Sequence, residues 1–275
     1  MAASAVKFHS KYLADLEEHK HVLWPHPTSR LIVAPERCMH DGHMILFEAP
    51  AFVSLRKRYP MITTPVILKA ALALMIILHT NHTHAVFLNL EAQRARLPFL
   101  RDGFPFVSAN EAADVSGPTF GGVLNLVKFQ PTQTVLEYLL RIREDQDSLT
   151  KYATVPWHEL SRQTGHSMEG TLPRVAESVI FNWMPGLGPA ALGENPYRHM
   201  TVKQTHIRTK LGMLANAGAG GIDGSQILIF LQGAVANMST LWVERTAQEM
   251  KSIALWLGNE DSLQIQVGEF TKHIP

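Results

Sequence analysis

The chain has 275 residues, 46% of them hydrophobic and 18% charged, and a net charge of +1 with histidines neutral. This composition excludes a disordered chain, and the charge gives no electrostatic case for nucleic acid or an anionic membrane as partner. The length fits one large domain or two small ones, and the lone Cys38 excludes an intramolecular disulfide, as suits a reducing compartment.

The first residues, Met1 to Lys11, are mixed polar, so no secretion signal and a cytoplasmic location are expected. Residues 8–21 read as a short helix with Tyr12, Leu13 and Leu16 on one side, and Pro25 and Pro27 open an extended linker. Asp41-Gly42 reads as a turn, followed by a strand over His43 to Glu48 and a short helix over Ala51 to Arg58. Thr63-Thr64-Pro65 starts a helix with a hydroxyl cap and a proline in the first turn. That helix, to about Thr80, is apolar nearly all round and should be central. Its core, Val66 to Leu78, contains Lys69 and is too short to span a bilayer, which needs roughly 20 apolar residues.

Ala85 to Leu90 reads as a buried strand, residues 97–118 as a long loop and Val123 to Phe129 as a strand. Thr132-Gln133-Thr134 caps a helix to about Ser148, with Val135, Leu136, Leu139, Leu140 and Ile142 as its apolar face. Val179 to Trp183 is a strand ending at Met184-Pro185-Gly186. Met213-Leu214 and Gln226 to Leu231 flank a hairpin turn over 217–224, and a last helix runs from about Ser239 to Leu257, with Gly258 behind it. Strands and helices alternate, so the fold class is α/β with one mixed sheet.

Chemistry-bearing strings are few. The glycine-rich stretch 217–224 lacks the following helix and Lys-Ser/Thr of a phosphate loop, so it reads as a turn. His79, His82 and His84 have neither cysteine nor carboxylate beside them and read as surface histidines, so no metal site is expected. No Gly-x-Ser-x-Gly elbow occurs, and Cys38 reads as a structural thiol. Asn81-His82-Thr83 and Asn237-Met238-Ser239 match the glycosylation sequon by chance. His40 with Asp41, inside Met39-His40-Asp41-Gly42-His43, could supply a general base, although adjacent side chains in a turn diverge.

Several segments carry a resemblance in chain order. Phe8 to Trp24 ends in a tryptophan. Thr64-Pro65 precedes an Ala/Leu helix. Val86-Phe87 is followed by Arg94, and Gly117-Pro118 by Leu124-Asn125-Leu126. Then come Val155-Pro156-Trp157-His158, Arg174 with Ser178, Phe181 and Asn182, and Thr209-Lys210-Leu211-Gly212-Met213-Leu214. Together they resemble the motifs of the C-terminal lobe of nonribosomal-peptide-synthetase condensation domains, in a style closest to the fungal ones. The resemblance covers almost the whole chain. It implies one chloramphenicol-acetyltransferase-like lobe, a mixed sheet flanked by helices, with a terminal helix and linker over 1–42 and a core lobe over 43–275. It also implies that the His-His-x-x-x-Asp-Gly motif belongs to a first lobe that this sequence lacks. The acidic residue of Val-Pro-Phe-Glu is His158 here, and the aspartate of Lys-Phe-Asp-Leu is Gly212.

The function that this resemblance implies lies in specialised metabolism. The protein would bind an acyl, polyketide or peptidyl intermediate, free or carrier-tethered, in a tunnel and promote cyclisation or a related shape-controlled step. Asn125, Ser178, Asn182 and Trp183 are the candidate substrate-binding residues, and no cofactor is expected. One alternative is an acyltransferase with a relocated base, His158 or His40, and another is a non-catalytic lobe that docks on a synthetase or carrier protein. A homodimer or a separately encoded N-terminal lobe would complete the tunnel.

Overall fold

A computed structural model describes residues 2–16, 23–25, 40–92, 120–153, 155, 157–164, 174–175, 177–184, 212–221, 223–234 and 238–273. The expected loop over 97–118, Cys38, most of the linker, Arg94 and Thr209-Lys210-Leu211 lie outside these residues. Among the described residues the α-helices are α1 (Ala2–Tyr12), α2 (Pro50–Arg58), α3 (Thr64–Thr80), α4 (Val135–Lys151), α5 (Trp157–Thr164) and α6 (Thr240–Leu257). The strands are β1 (His40–Glu48), β2 (His84–Ala92), β3 (Phe120–Lys128), β4 (Val179–Trp183), β5 (Met213–Gly220) and β6 (Gln226–Ala234). They form one six-stranded sheet in the order β1-β6-β5-β4-β2-β3. The pairs β2/β4 and β4/β5 are parallel and the rest antiparallel, so the sheet is mixed, as the alternating pattern implies.

Helix α3 is the centre of the molecule. Residues from Val66 to Ile77 are buried on every side of it, so its all-round hydrophobicity is satisfied by neighbours rather than by one face. It packs on α6, α4 and β2. Thr63 occupies the N-cap but makes no side-chain cap bond, so Pro65 in the first turn is the starting signal that operates here. Asn81 ends the helix in the left-handed region at φ 55°, where asparagine is among the few non-glycine residues tolerated.

Helix α4 begins with a complete capping box: Glu137 N–H donates to Thr134 Oγ1 at 3.2 Å, and Thr134 N–H donates to Glu137 Oε2 at 2.8 Å. Replacing Thr134 with alanine should lower stability by about 1 kcal/mol, seen as a fall of a few degrees in a circular-dichroism melt. An unchanged melting temperature would mean that packing alone holds the end of α4.

Three expectations shift. The first helix begins at Ala2 and ends at Tyr12, with turns over 13–16, instead of spanning 8–21. Its end is fixed by the sheet. Tyr12 hydroxyl donates to Leu126 O at 3.2 Å and accepts from Leu126 N–H at 2.9 Å, closing the free edge of β3. The second shift concerns Asp41-Gly42, which sits inside β1 and makes no turn there. His40 to His43 pair with Ala234 to Leu231, because β6 offers that length of free edge. A Cβ at Gly42 would lie 2.6 Å from the Phe230 ring, so glycine here makes room for a neighbour's side chain. The hairpin over 217–224 also tightens. Ala217 to Gly220 extend β5, and the turn narrows to the residues around Gly221 and Gly224, both at φ 77°.

One face of the sheet meets α3, α4 and α6. Ile45, Phe47, Phe87, Phe181, Ala215, Ile229 and Leu231 bury themselves there. On the other face, α1, the turn after it and α5 cover Val86, Leu124 and Leu126 of β2 and β3 through Ala5, Val6, Leu13 and Leu160. Among the described residues, no helix is long and apolar enough to cross a membrane.

Candidate functional site

Alternation along the strands puts Asn182, Asn216 and Phe230 in one row across β4, β5 and β6, since Asn182 pairs with Asn216 and Asn216 with Phe230. Gln232 stands one step along β6 on the same face. This is the face opposite α3, α4 and α6. Among the described residues, the cluster built by α1 and α5 stops at β2 and β3 and does not extend to this part of the sheet. Met44 and Leu46 of β1 share the face and are 62% and 48% exposed.

Three carboxamides are joined across this row. Asn182 Nδ2 donates to Asn216 Oδ1 at 2.9 Å, and Asn216 Nδ2 donates to Gln232 Oε1 at 3.2 Å. Asn216 and Gln232 are only 7% and 8% exposed, and Ile180, Leu228 and Leu214 surround them on the same face. Buried amides without partners cost free energy, and this linkage satisfies the inner ones. The row is therefore a fixed line of dipoles in an apolar wall.

Of the sequence-derived candidates, Asn182 belongs to this row. Trp183, its neighbour, points to the opposite face and packs on the main core. Asn125 pairs with Phe87 and shares that helix-covered side, its Nδ2 donating to Val123 O at 3.0 Å. Ser178 is buried at the far end of β4 from Asn182, where its carbonyl accepts from Met213 N–H at 2.7 Å. His158 is exposed on α5, beside the β2/β3 edge. Of His40 and Asp41 only the backbone is described, in β1 at the opposite edge. Five inter-strand steps separate β1 from β3, on the order of 24 Å, so these alternative bases belong to different parts of the sheet. His79 accompanies Glu249, with Nε2 2.7 Å from Oε2, and its ring stacks on Trp24 at 4.5 Å. Among the described residues no group of three or more His, Cys, Asp or Glu could hold a metal ion.

Sequence reasoning missed Asn216 and Gln232. The available signal was a carboxamide inside otherwise apolar strands, Ala215-Asn216-Ala217 and Leu231-Gln232-Gly233, where β-propensity disfavours asparagine. It also passed over Lys69 except as a break in an apolar run. Lys69 lies behind the sheet from the row, its Nζ 5.7 Å from the centre of the Phe181 ring. It is paired with Glu91 at 3.6 Å and bonded to Gln146 Oε1. Gln146 donates to Glu91 at 2.6 Å, and Asn89 donates to the same carboxylate. Burial pulls the Lys69 ammonium down to about 8, against the opposing pull of Glu91.

No protein-family model matches the chain, and no curated protein matches it significantly. Solved structures do. The starter condensation domain of rhizomide synthetase RzmA, as a double mutant in complex with C8-CoA and Leu-SNAC, is 12% identical at a TM-score of 0.60, covering 96% of this chain and 53% of that one. The X-domain from teicoplanin biosynthesis is 11% identical at 0.63, covering 100% and 57%. In its complex with OxyB, the X-domain is 13% identical at 0.66, covering 95% and 54%. The chain thus has the fold of condensation domains, a mixed six-stranded sheet flanked by helices, over a stretch about half as long as those proteins.

Proposed function

We propose that this chain is the C-terminal lobe of a condensation-domain-derived protein of specialised metabolism. It holds an acyl, polyketide or peptidyl intermediate against the carboxamide-bearing sheet face and promotes cyclisation or a related shape-controlled step. The observation that carries this reading is the Asn182–Asn216–Gln232 row set in an apolar wall, on the face opposite α3, α4 and α6. Such a wall can fold a flexible chain into a reactive conformation, where proximity alone supplies much of the rate. Fixed amide dipoles can also stabilise an enol or alkoxide without a strong base. A second lobe, from another copy or a separately encoded partner, closes the wall into a tunnel.

The relocated-base reading rests on His158, on α5 beside β2 and β3, or on His40, in β1, and neither lies on the three strands that carry the carboxamide row. A double variant with both replaced by alanine should retain turnover; its abolition would restore the acyltransferase reading. The docking-lobe reading draws support from the X-domain, which has this fold and was solved in complex with OxyB.

The test is to incubate the protein with polyketide and peptidyl intermediates, free and thioester-bound, and follow products by mass spectrometry. A product of unchanged mass and altered retention supports the proposal. A product joined to a second substrate means acyl transfer, and none at all means a docking lobe.

A further inference from the structure

Behind the sheet from the carboxamide row, the nest around Lys69 has no part in the function proposed above. Lys69 comes from α3, Asn89 and Glu91 from β2, and Gln146 and Thr150 from α4. Lys69 Nζ lies 3.6 Å from Glu91 Oε1 and donates to Gln146 Oε1. Gln146 Nε2 donates to Glu91 Oε1 at 2.6 Å and to Thr150 Oγ1 at 2.8 Å. The Phe181 ring of β4 has its centre 5.7 Å from Nζ. The nest therefore stands at the carboxyl ends of the parallel strands β2 and β4, where open α/β sheets gather ligands. For stability alone, apolar residues at 69 and 91 would serve as well, since a buried ion pair is commonly replaced without loss.

We infer that Lys69 captures carbonyl compounds: it condenses with an aldehyde or ketone to give an iminium held by Glu91. Burial among apolar neighbours brings the Lys69 ammonium down to about 8. About a tenth of it is then free amine at pH 7, against roughly one part in a few thousand for an ordinary lysine. Asn89, 2% exposed, donates its Nδ2 to Glu91, and its Oδ1 is buried with no partner among the described residues. The hydroxyl of a carbinolamine supplies the donor that this oxygen lacks. The groups that Nζ touches, Glu91 and Gln146, are only part-buried, so turning Gln146 aside admits a narrow molecule.

The step balances without a co-reactant. Glu91 takes one proton from the ammonium. The amine lone pair forms a C–N bond to the carbonyl carbon, the C=O π pair moves to oxygen, and a second nitrogen proton shifts to that oxygen. Glu91 then returns its proton to the hydroxyl, water leaves, and the nitrogen lone pair closes the C=N bond. One cation and one carboxylate remain, as at the start. Glu91 and the Phe181 ring therefore steady the iminium as they steady the ammonium.

The experiment incubates the protein with hexan-2-one, a narrow neutral ketone, and cyanoborohydride at pH 7. Alkylated lysines are mapped over time by tandem mass spectrometry. Lys69 should be alkylated about tenfold faster than the exposed Lys57, and Lys69→Met, with a thermal melt run alongside, should lose that fast site. If Lys69→Met does not fold, the wild-type map alone decides. Alkylation of Lys69 no faster than that of Lys57, or alkylation confined to exposed lysines, overturns the inference. Either result leaves the carboxamide face untouched, so the proposed function stands or falls by its own test.

Discussion

Replacing Glu91 with leucine should destabilise the protein by about 3–5 kcal/mol, because it strands a buried ammonium. The Lys69 side chain is only 6% exposed, and its remaining partner would be the Gln146 carbonyl. Replacing Lys69 with methionine should be milder, since Glu91 keeps the donors of Gln146 and Asn89. The double variant Lys69→Met/Glu91→Leu should lie close to wild type, because apolar groups of similar volume commonly replace a buried ion pair without loss. The pH dependence has a definite sign. Lys69 is pulled from 10.5 to about 8 in the folded state, so between those values the unfolded chain binds more protons and stability rises with pH. The deficit of Glu91→Leu should therefore shrink as pH is raised towards 10, where the amine is neutral. Denaturant unfolding at pH 7 and pH 10 measures both effects. A Glu91→Leu variant within about 0.5 kcal/mol of wild type would mean that the ammonium is hydrated and the buried-pair account is wrong.

Introducing a side chain at Gly212 should be comparably severe. An alanine Cβ there would lie 2.1 Å from Glu177 O and 2.3 Å from Ser178 O, well inside contact distance, and both neighbours are backbone. Ser178 O cannot swing away without losing the Met213 N–H that opens the β4/β5 ladder. We expect Gly212→Ala to lose about 3 kcal/mol or more, and Gly212→Asp at least as much. The position matters because, by the resemblance of Thr209-Lys210-Leu211-Gly212-Met213-Leu214 to Lys-Phe-Asp-Leu, an aspartate would fall here. In this chain the two strands approach too closely to admit one, so the missing carboxylate cannot be restored by a single substitution. The midpoint of denaturant unfolding reads the effect; an unchanged midpoint would show that the β4/β5 approach yields easily.

The sequence foreshadowed the fold where local pattern and tertiary demand agree. The apolar run around Leu72, the Thr134 capping box and Val179 to Trp183 each carry a local signal that the packing keeps. It misled where a neighbouring edge decided the outcome. Asp41-Gly42 has turn chemistry, yet the open edge of β6 draws both residues into β1. Ala217 to Gly220 likewise look like turn residues, but their register with Ile229 to Gln226 makes them strand. The candidate site was only partly legible. Asn182 stood out because it ends a strand in a familiar motif. Asn216 and Gln232 become significant only once β5 and β6 flank one another, which no local spacing reveals. For the same reason Trp183 could not be separated from Asn182 until the strand's two faces were assigned.

The central claim, that the carboxamide-bearing face is a substrate wall, is tested most directly by photo-crosslinking. A peptidyl thioester carrying a diazirine in its acyl chain is bound, irradiated and mapped by tandem mass spectrometry. The account predicts labels on Met44, Leu46 and Phe230, competed away by unlabelled intermediate. Labels confined to the outer surfaces of α4 and α6, or labels that excess intermediate does not displace, would contradict it.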